Sequence, residues 1–391
     1  SLQANLPEYP RISLTDEDGI FSFLGVSNNA DFEIRSGLDK DYMNGVSTLD
    51  LVKIQRHILG LELLDSPYKV IAADINGDEK LKASDLLVLR KLILGIITDL
   101  PTNKSWRFVD KTQEFEDIYY PWPIQESIDM TSLQGDILNN DFIAVKIGDV
   151  NGNADPNFDD KAQVQTRDLQ SIGFEVDDLF VSIGKTVEVT FVASENFDLR
   201  GYQFSMELDG LSFIDITSQS ISIDDKNIGL IDRDLVTMSY NDTEKLNVTK
   251  GSDLFSISFL ADKPGLVSEM IVLTSKLTVN EAYIGDAYEL HEVELRFNEA
   301  LNVHFENKLY QNEPNPFRKS TSISFDLATS SDVTLTLLNT TGAIVSEIFI
   351  DGKKGQNEYE LEFDQIGVNG LYYYKIDSGE FSATKKMILL R

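Results

Sequence analysis

One stretch, Asp74–Asp85, constrains this chain more than any other part of its sequence. The first, third, fifth and twelfth residues of the stretch all carry side-chain oxygens, and they are Asp74, Asn76, Asp78 and Asp85. Alternate residues of a tight loop point inward, so this spacing wraps oxygens around one hard cation such as Ca²⁺, which takes six to eight of them at about 2.3–2.6 Å. The seventh residue, Lys80, would offer its backbone carbonyl. The sequence therefore predicts a calcium-binding loop.

The same spacing occurs once earlier in the chain, followed by the same kind of helix. The first, third and twelfth residues of this earlier stretch are Asp39, Asp41 and Asp50. Met43, at the fifth position, and Gly45, at the seventh, can contribute only carbonyls. A repeat of loop plus helix is more specific than either loop alone. We therefore predict one or two bound ions, the alternative being two acidic helix N-caps without metal.

The Asp-x-Asn-x-Asp loop at 74–78 and its imperfect copy at 39–43, each followed by one short helix, resemble a dockerin type I module. The sequences at 44–52 and 55–60 are similar to those of the dockerin variant found in large secreted proteins of Bacteroidetes. The resemblance implies a small α-helical calcium module, placed at 37–155 together with an aromatic extension. The extension ends in a further Asp-Val-Asn-Gly-Asn string. Two interpretations stay open: the string returns extra ligands, Asp149 or Asn151, to the ion sites, or it is a turn-rich linker.

Composition narrows the classes of function. The 391 residues carry a formal net charge of −31, from 65 acidic and 34 basic side chains. Such a polyanion repels nucleic acid and anionic membrane surfaces, and no apolar run is long enough to span a membrane. No cysteine is available for disulfides or thiolate chemistry. No catalytic motif is present either, so we predict a non-catalytic region, with an enzyme domain further upstream left open.

Residues 160–298 alternate apolar and polar side chains in runs such as 187–192 and 202–208, which is typical of strands. Strand runs separated by turns predict a β-sandwich or jelly roll. The order of these runs resembles a cohesin domain. Dockerin-like and cohesin-like modules in one chain raise the hypothesis that they dock within it. The rival hypothesis is an adhesive or carbohydrate-binding region, in which this sandwich binds glycan or protein.

Residues 309–391 contain short strand runs typical of a compact immunoglobulin-like sandwich. Its opening Asn-Glu-Pro-Asn-Pro-Phe, its Gly-Leu-Tyr-Tyr-Tyr-Lys run and its closing Lys-Met-Ile-Leu-Leu-Arg together resemble the type A C-terminal sorting domain of type IX secretion cargo. The resemblance implies passage through the periplasm and outer membrane to a secreted or cell-surface location. It also implies the type IX translocon and its shuttle protein as partners. The residues that would carry the export signal are Asn315, Pro316, Phe317, Gly342, Gly370, Tyr372, Lys375 and Lys386.

The predicted fold class is mostly β and multi-domain. Residues 1–36 are interpreted as the end of a truncated upstream β repeat, and 37–155 as the small α-helical calcium-loop repeat. A β jelly-roll sandwich follows at 160–298. An immunoglobulin-like β-sandwich occupies 309–391.

Overall fold

The computed structural model describes residues 2–6, 10–138, 140–156, 170–298, 306–379 and 381–390. Within these residues strands predominate, and the three longest helices all lie between residues 48 and 93. The buried apolar side chains of these residues form four separate clusters, two in the first region of the fold and one in each of the two sandwiches that follow. The predicted mostly β, multi-domain class is confirmed.

The first region combines short strands with three helices. Its elements are β1 (Leu2–Asn5), β2 (Pro10–Ser13), β3 (Phe32–Ser36), α1 (Thr48–Ile58), α2 (Pro67–Ala73), α3 (Ala83–Ile93), β4 (Trp106–Asp110), β5 (Ser127–Met130) and β6 (Phe142–Lys146). One antiparallel sheet has the order β2-β1-β3-β5, and β4 pairs separately with β6. The predicted boundary at residue 36 is therefore not a structural one, because so few strands cannot bury a face alone and they pair with β5 instead.

The helices begin and end where the sequence carries the appropriate signals. Ser47 and Asp50 form a capping box at the start of α1, and Pro67 is the first residue of α2. Gly60 and Gly95, just after α1 and α3, have φ of +68° and +71°, which glycine adopts at little cost. The apolar faces of the helices meet in one core, together with side chains of β6 and the residues that follow it.

The middle region is a sandwich built from one long sheet. Its elements are β7 (Ser171–Asp177), β8 (Phe180–Val181), β9 (Thr186–Ala193), β10 (Phe197–Leu208), β11 (Leu211–Ser218), β12 (Ile228–Leu230), β13 (Leu235–Val248), β14 (Asp253–Ala261), β15 (Gly265–Leu266), α4 (Val267–Met270), β16 (Ile271–Thr274), β17 (Glu281–Ile284) and β18 (Glu289–Asn298). The strand order is β11-β14-β9-β7-β18-β17-β10-β13-β12. Phe174 of β7 lies 5.5 Å from Tyr202 of β10, ring centre to ring centre, although these strands are not neighbours. The sheet thus folds over into two layers.

The last region is a second, smaller sandwich. Its strands are β19 (Lys308–Leu309), β20 (Ser320–Leu327), β21 (Ser331–Leu338), β22 (Ile344–Gly352), β23 (Gly355–Glu362), β24 (Gly370–Ser378) and β25 (Phe381–Leu389). They form two sheets, β19-β20-β23 and β22-β21-β24-β25. Every second residue of β20 is buried, as expected for a strand with one face on the core.

Candidate metal-binding loops, module interface and sorting domain

The loop between α2 and α3 folds around Asp74, which is 2% exposed. Its Oδ1 accepts a hydrogen bond from the Asp78 amide at 3.1 Å, and its Oδ2 accepts one from the Glu79 amide at 3.0 Å. Asn76 Oδ1 also accepts from the Asp78 amide, at 2.9 Å. Glu79 has a φ of +61°, so the sharp turn at the sixth position forms although a glycine is missing there.

Asp85 closes this loop from the first turn of α3. One carboxylate oxygen accepts from the Asn76 amide at 3.1 Å, and the other from the Lys82 amide at 3.0 Å. The Asp78 carboxylate forms an ion pair with Lys82 Nζ at 3.0 Å, and the Lys80 side chain is exposed. The structure thus brings Asp85, Asp74 and Asn76 together, while Asp78 faces a lysine.

The first loop is not built from the residues that the repeat suggested. Asp39 Oδ1 accepts from the Ser105 amide at 2.9 Å, which holds this carboxylate beside the start of β4. Asp41 has a φ of +55°, and the Met43 carbonyl accepts from the Val46 amide at 3.0 Å within its own turn. Among the hydrogen bonds of the described residues, none joins Asp39 or Asp41 to α1. The placement of these ligands beside α1 is therefore corrected.

Residues 149–155 occupy that place instead. Asp149 Oδ1 accepts from the Asn153 amide at 3.3 Å, and its Oδ2 accepts from the Ala154 amide at 2.9 Å. Asn151 Oδ1 accepts from the Asn153 amide at 3.1 Å. These are the bonds that the first and third residues of the other loop make. Asp149 and Asn151 therefore lie in a turned loop and not in an extended linker, and their role as ion ligands stays a prediction.

Asp50 closes this loop from the first turn of α1. Its Oδ1 accepts from the amides of Val150 and Asn151, at 2.9 and 3.2 Å, and its Oδ2 accepts from the Ser47 amide at 2.9 Å. Asp50 and Val150 are separated by 100 positions in the chain. We call this arrangement the split loop: residues 149–155 together with Asp50.

A pair of hydrogen bonds joins residues 149–155 of the split loop to Asn44, which lies in the turn before α1. Asn44 Nδ2 donates to the Asp155 carbonyl at 2.7 Å, and the Asp155 amide donates to Asn44 Oδ1 at 2.9 Å. A Cβ on Gly45 would lie 2.6 Å from the backbone of Ala154. Gly45, predicted as a carbonyl ligand, therefore also permits this close approach. The signal for the split loop was visible in the sequence, since the string at 149–153 nearly repeats that at 74–78.

Both loops concentrate buried negative charge. Burial, and then the charge of Asp149, raise the pKa of Asp50 to about 7. Burial raises the pKa of Asp74 to about 6, and the charge of Asp85 adds to this rise. Lys146 is the basic group that interacts with the split loop, and burial lowers its pKa to about 8. A bound cation would offset this charge.

The donor sets fit Ca²⁺ in kind. Among the described residues no group of three or more His, Cys, Asp or Glu side chains could hold a metal ion. Two carboxylates meet at each loop, Asp74 with Asp85 and Asp149 with Asp50. The side-chain oxygens of Asn76 and Asn151 lie in the same turns. Ca²⁺ accepts such mixed oxygen shells and completes them with water.

We call the first region, residues 2–156, the helical segment; it and the middle sandwich contact each other within the chain. α1 packs on β10 and β13. The Thr48 amide donates to Gln203 Oε1 at 2.6 Å, and the Thr48 and Ser239 hydroxyls are 2.7 Å apart. Thr48 and Ser239 are fully buried. Because Thr48 and Asp50 lie in the same helical turn, the start of α1 belongs both to the split loop and to this interface.

Further polar contacts join α1 and α3 to β13. Asn241 of β13 hydrogen-bonds Gln55 of α1 and Arg90 of α3. Arg56 Nη1 donates to the Thr243 carbonyl at 2.8 Å. Burial lowers the pKa of Arg90, as expected for a guanidinium enclosed between two modules. Such contacts give a specific orientation more than a large free energy of association.

The last turn of α3 makes a second polar contact with the sandwich. Thr237 Oγ1 donates to the Leu94 carbonyl at 2.6 Å, and Thr278 Oγ1 donates to the Ile93 carbonyl at 2.9 Å. The carbonyls at a helix C-terminus lack partners within the helix. The sandwich therefore supplies the hydrogen bonds that these carbonyls require.

Gly229 of β12 allows this close approach, and replacing it tests the interface. A Cβ at this position would lie 2.5 Å from the Leu94 carbonyl oxygen and would also meet Thr237. We expect Gly229→Ala to lower the free energy of unfolding by about 1–3 kcal/mol through overpacking, measured by urea denaturation. The control is Gly37→Ala, where an added Cβ meets nothing within 4 Å. Equal effects of the two substitutions would contradict the interface.

Three of the predicted export-signal residues, Asn315, Pro316 and Phe317, lie in the segment that opens the last sandwich. Asn315 Oδ1 accepts from the Ile388 amide at 2.9 Å, and the Phe317 amide donates to the Ile388 carbonyl at 3.0 Å. The Leu390 amide donates back to the Phe317 carbonyl at 2.9 Å. Pro316 lies between these anchors, so the opening segment of this sandwich pairs with its last strand.

The remaining export-signal residues lie on the sheet that contains β24. Gly342 has a φ of +81° in the turn before β22, and Tyr372 is 8% exposed. Gly370 is the first residue of β24. Lys386 is exposed, and Lys375 pairs with a neighbouring aspartate at 2.7 Å. The two lysines are the charged members of the set that a partner could reach.

Phe317 should be essential to the stability of this sandwich. It is 1% exposed, and truncating a buried phenylalanine to alanine costs about 3–5 kcal/mol. We expect Phe317→Ala to make residues 306–390 sensitive to limited proteolysis of the whole chain, read by mass spectrometry. Phe349 is 80% exposed, so Phe349→Ala should leave the cleavage pattern unchanged. Resistance of the Phe317 variant would disprove the structural role.

Solved structures with partial similarity include cohesins. A type I cohesin of Pseudobacteroides cellulosolvens is 12% identical, covering 33% of this chain and 89% of that one, with a TM-score of 0.24. A non-cellulosomal cohesin of Archaeoglobus fulgidus is 12% identical over 33% and 88%, also with 0.24. PorZ, a surface component of the type IX secretion system of Porphyromonas gingivalis, is 18% identical over 29% and 15%, with 0.18. A search of curated proteins found no match.

No helix among the described residues has the length and apolar character needed to cross a membrane.

The family comparison concerns the last sandwich. Residues 310–390 match the family described as the secretion system C-terminal sorting domain, and this range contains every predicted export-signal residue. The prediction of a type IX sorting domain is thus confirmed for this segment, and with it an exported protein, at the cell surface or secreted.

Proposed function

We propose that this chain is a non-catalytic, calcium-stabilised region of an exported protein. Residues 309–391 are its export signal, which the type IX translocon and its shuttle protein recognise. The observation that carries the proposal is the sorting-domain match at 310–390. The non-catalytic role is supported by the sequence, which lacks any recognised catalytic motif.

Calcium has a structural role in this proposal. The loop at 74–85 and the split loop share the same hydrogen-bonding scheme around two buried carboxylates, which supports one ion in each. The helical segment has a small core for its length, and an ion that binds only the folded state adds its binding free energy to stability. The loop at 74–85 lies between α2 and α3, but the split loop follows β6 and not a helix. The two loops therefore do not form a pair of helix–loop–helix units as in a calcium sensor, and we assign the ions a stabilising role.

The contact between the helical segment and the sandwich is the docking of a dockerin-like module on a cohesin-like one within a single chain. The buried hydrogen bonds of Thr48, Thr237 and Thr278 support this view. A tether keeps the effective concentration of one module near the other high, so even a weak contact stays closed. Docking within the chain then gives a rigid unit in place of a free surface for recruiting other proteins.

The export role is tested in a bacterium that has a type IX system. We expect the whole chain, produced behind a secretion leader, to reach the medium or cell surface, and a version lacking 309–391 to stay in the periplasm. The double variant Lys375→Glu, Lys386→Glu should also be retained, because it reverses the exposed charges without touching the core. The matched control, Lys353→Glu with Lys354→Glu, should be exported normally. Export of the truncated chain would disprove the proposal.

A further inference from the structure

A third set of contacts between the helical segment and the middle sandwich gathers around Tyr288, which lies in the turn between β17 and β18. The Tyr288 hydroxyl donates to a carboxylate oxygen of Glu62, in the segment between α1 and α2. Lys53 Nζ of α1 lies 4.6 Å from the centre of the Tyr288 ring, and the guanidinium carbon of Arg200 in β10 lies 5.9 Å from it. The ring is therefore within cation–π distance of one cation from each module.

Tyr288 has a backbone conformation that its side chain disfavours. Its φ is +54°, and no other aromatic residue in the described part of the chain has a positive φ. A bulky side chain at positive φ is a rare outlier, and such strain persists only where the surrounding structure holds it in place. Glycine or asparagine would form the same turn with less strain. The contacts of the ring and the hydroxyl therefore account for a tyrosine at this position.

Both sides of the Tyr288 contact are held by ion pairs. Arg200 Nη2 lies 2.7 Å from Asp286 Oδ1, which holds the turn on β10. Arg56 Nε lies 3.0 Å from a carboxylate oxygen of Glu62, which holds Glu62 beside α1. Burial, and then the hydrogen bond to Glu62, raise the pKa of Tyr288 to about 12. The hydroxyl thus keeps its proton at neutral pH and remains a donor.

The helical segment meets the sandwich at three separate places. Thr48 is at the start of α1, Leu94 follows α3, and Glu62 lies beyond the other end of α1. At a rise of 1.5 Å per residue, the two ends of α1 are roughly 15 Å apart. Two points of contact leave a body free to rotate about the line that joins them, and a third point off that line removes this rotation. The contact of Glu62 with Tyr288 supplies the third point.

We propose that Tyr288 is the positioning residue that holds the helical segment in one orientation on the middle sandwich and makes the sandwich specific for it. This inference rests on the proposed docking within the chain. The ring requires a cation of the docked module near its face, and the hydroxyl requires an acceptor beside it. Lys53 and Glu62 meet these two requirements. A helical module without a basic and an acidic residue at these places leaves Tyr288 unpaired and is held in no single orientation.

The test uses spin labels, which attach to cysteine, in a chain that has no cysteine of its own. Lys91 of α3 and Thr217 of β11 are exposed, so the double variant Lys91→Cys, Thr217→Cys carries one label on each module of the whole protein. Pulsed electron paramagnetic resonance in the presence of calcium measures the distribution of distances between the labels. We expect one narrow peak. Adding Tyr288→Asn, which suits the positive φ but lacks the ring, should broaden this peak or add a second one.

The distance distribution reports orientation, and a substitution that only lowers stability does not change it. A narrow peak both with Tyr288 and with Tyr288→Asn would overturn the positioning role and leave the docking intact. A broad distribution in the labelled chain that retains Tyr288 would contradict the docking itself, and the positioning role with it.

A second measurement isolates the hydroxyl. Tyr288→Phe keeps the ring and removes only the hydrogen bond to Glu62. We expect this substitution to raise the hydrogen-exchange rates of the Leu61 and Glu62 amides about fivefold, as the loss of one hydrogen bond implies, and to have no such effect in a Glu62→Ala background. The matched control is Tyr373→Phe, at an exposed tyrosine of β24, which should leave both rates unchanged. Equal rates in Tyr288→Phe and Tyr373→Phe would overturn the role of the hydroxyl.

Discussion

Calcium should raise the melting temperature of the helical segment by roughly 5–10 °C per bound ion relative to the protein in chelator. An ion present at a hundred times its dissociation constant stabilises the fold by about 2.7 kcal/mol. For a unit of about 150 residues, each kcal/mol moves the melting temperature by about 2–4 °C. Trp106 and Trp122 are the only two tryptophans of the chain, and both are buried in this segment. Tryptophan fluorescence therefore reports this segment and not the two sandwiches.

Repeating the melting experiment at several pH values provides a control. The pKa of Asp50 is raised to about 7 and that of Asp74 to about 6 in the ion-free protein. A carboxyl group must lose its proton to bind the ion, and one with a pKa of about 7 is still half protonated at pH 7. Calcium stabilisation should therefore approach its full value only above about pH 8 and fade as the pH falls through 7 and 6 towards 5. A melting temperature, followed by tryptophan fluorescence at pH 7.5, that is the same with calcium and with chelator would contradict both ion sites.

Replacing Asp50 should have a much larger effect than replacing Asp41, although the sequence repeat gives them equal weight as ligands. Asp50 accepts three backbone hydrogen bonds in a fully buried position. Asp50→Asn turns one acceptor into a donor that faces backbone amides, and an unsatisfied buried group costs about 1–3 kcal/mol. Asp41→Asn should cost under about 0.5 kcal/mol, because asparagine tolerates a positive φ as aspartate does.

Calorimetric titration with calcium distinguishes the split loop from a continuous first loop at residues 39–50. With the split loop, Asp50→Asn abolishes one of two calcium sites, and Asp41→Asn preserves both. With a continuous first loop, Asp41→Asn would remove a ligand and weaken one site. Asp149→Asn provides the third comparison, since it should behave like Asp50→Asn. If Asp149→Asn instead leaves the stoichiometry at two ions, the split loop does not bind calcium.

The sequence predicted what depends on local pattern and missed what depends on distant pairing. Strand alternation in residues 309–391 and helix signals such as Gly60 and Gly95 identified most elements, because these signals act within a few residues. The pairing of β3 with β5 joins segments that are far apart, and short strands carry little information about their partners. The first loop was misplaced for a related reason. Asp39 matches the repeat by spacing, but the Ser105 amide competes for its carboxylate.

The module interface illustrates a second limit. Thr237 and Ser239 of β13 look like solvent-facing strand residues in the sequence, yet both are buried, as is Thr278 between β16 and β17. A polar strand face that another module covers has the same alternation as one that faces water. Their side chains are buried because helix carbonyls and the Thr48 hydroxyl meet them. Periodicity alone does not contain this information.

The split loop has a consequence for the topology of the folded chain. It ties α1 to a segment 100 positions away, so with an ion bound it acts as a removable cross-link in a protein that has no cysteine. In the chain-entropy view, a covalent bridge that closes a loop of about 100 residues removes about 4.7 kcal/mol of freedom from the unfolded state. An ion bound at the split loop would constrain the chain in the same way, but only while the surrounding solution contains the metal.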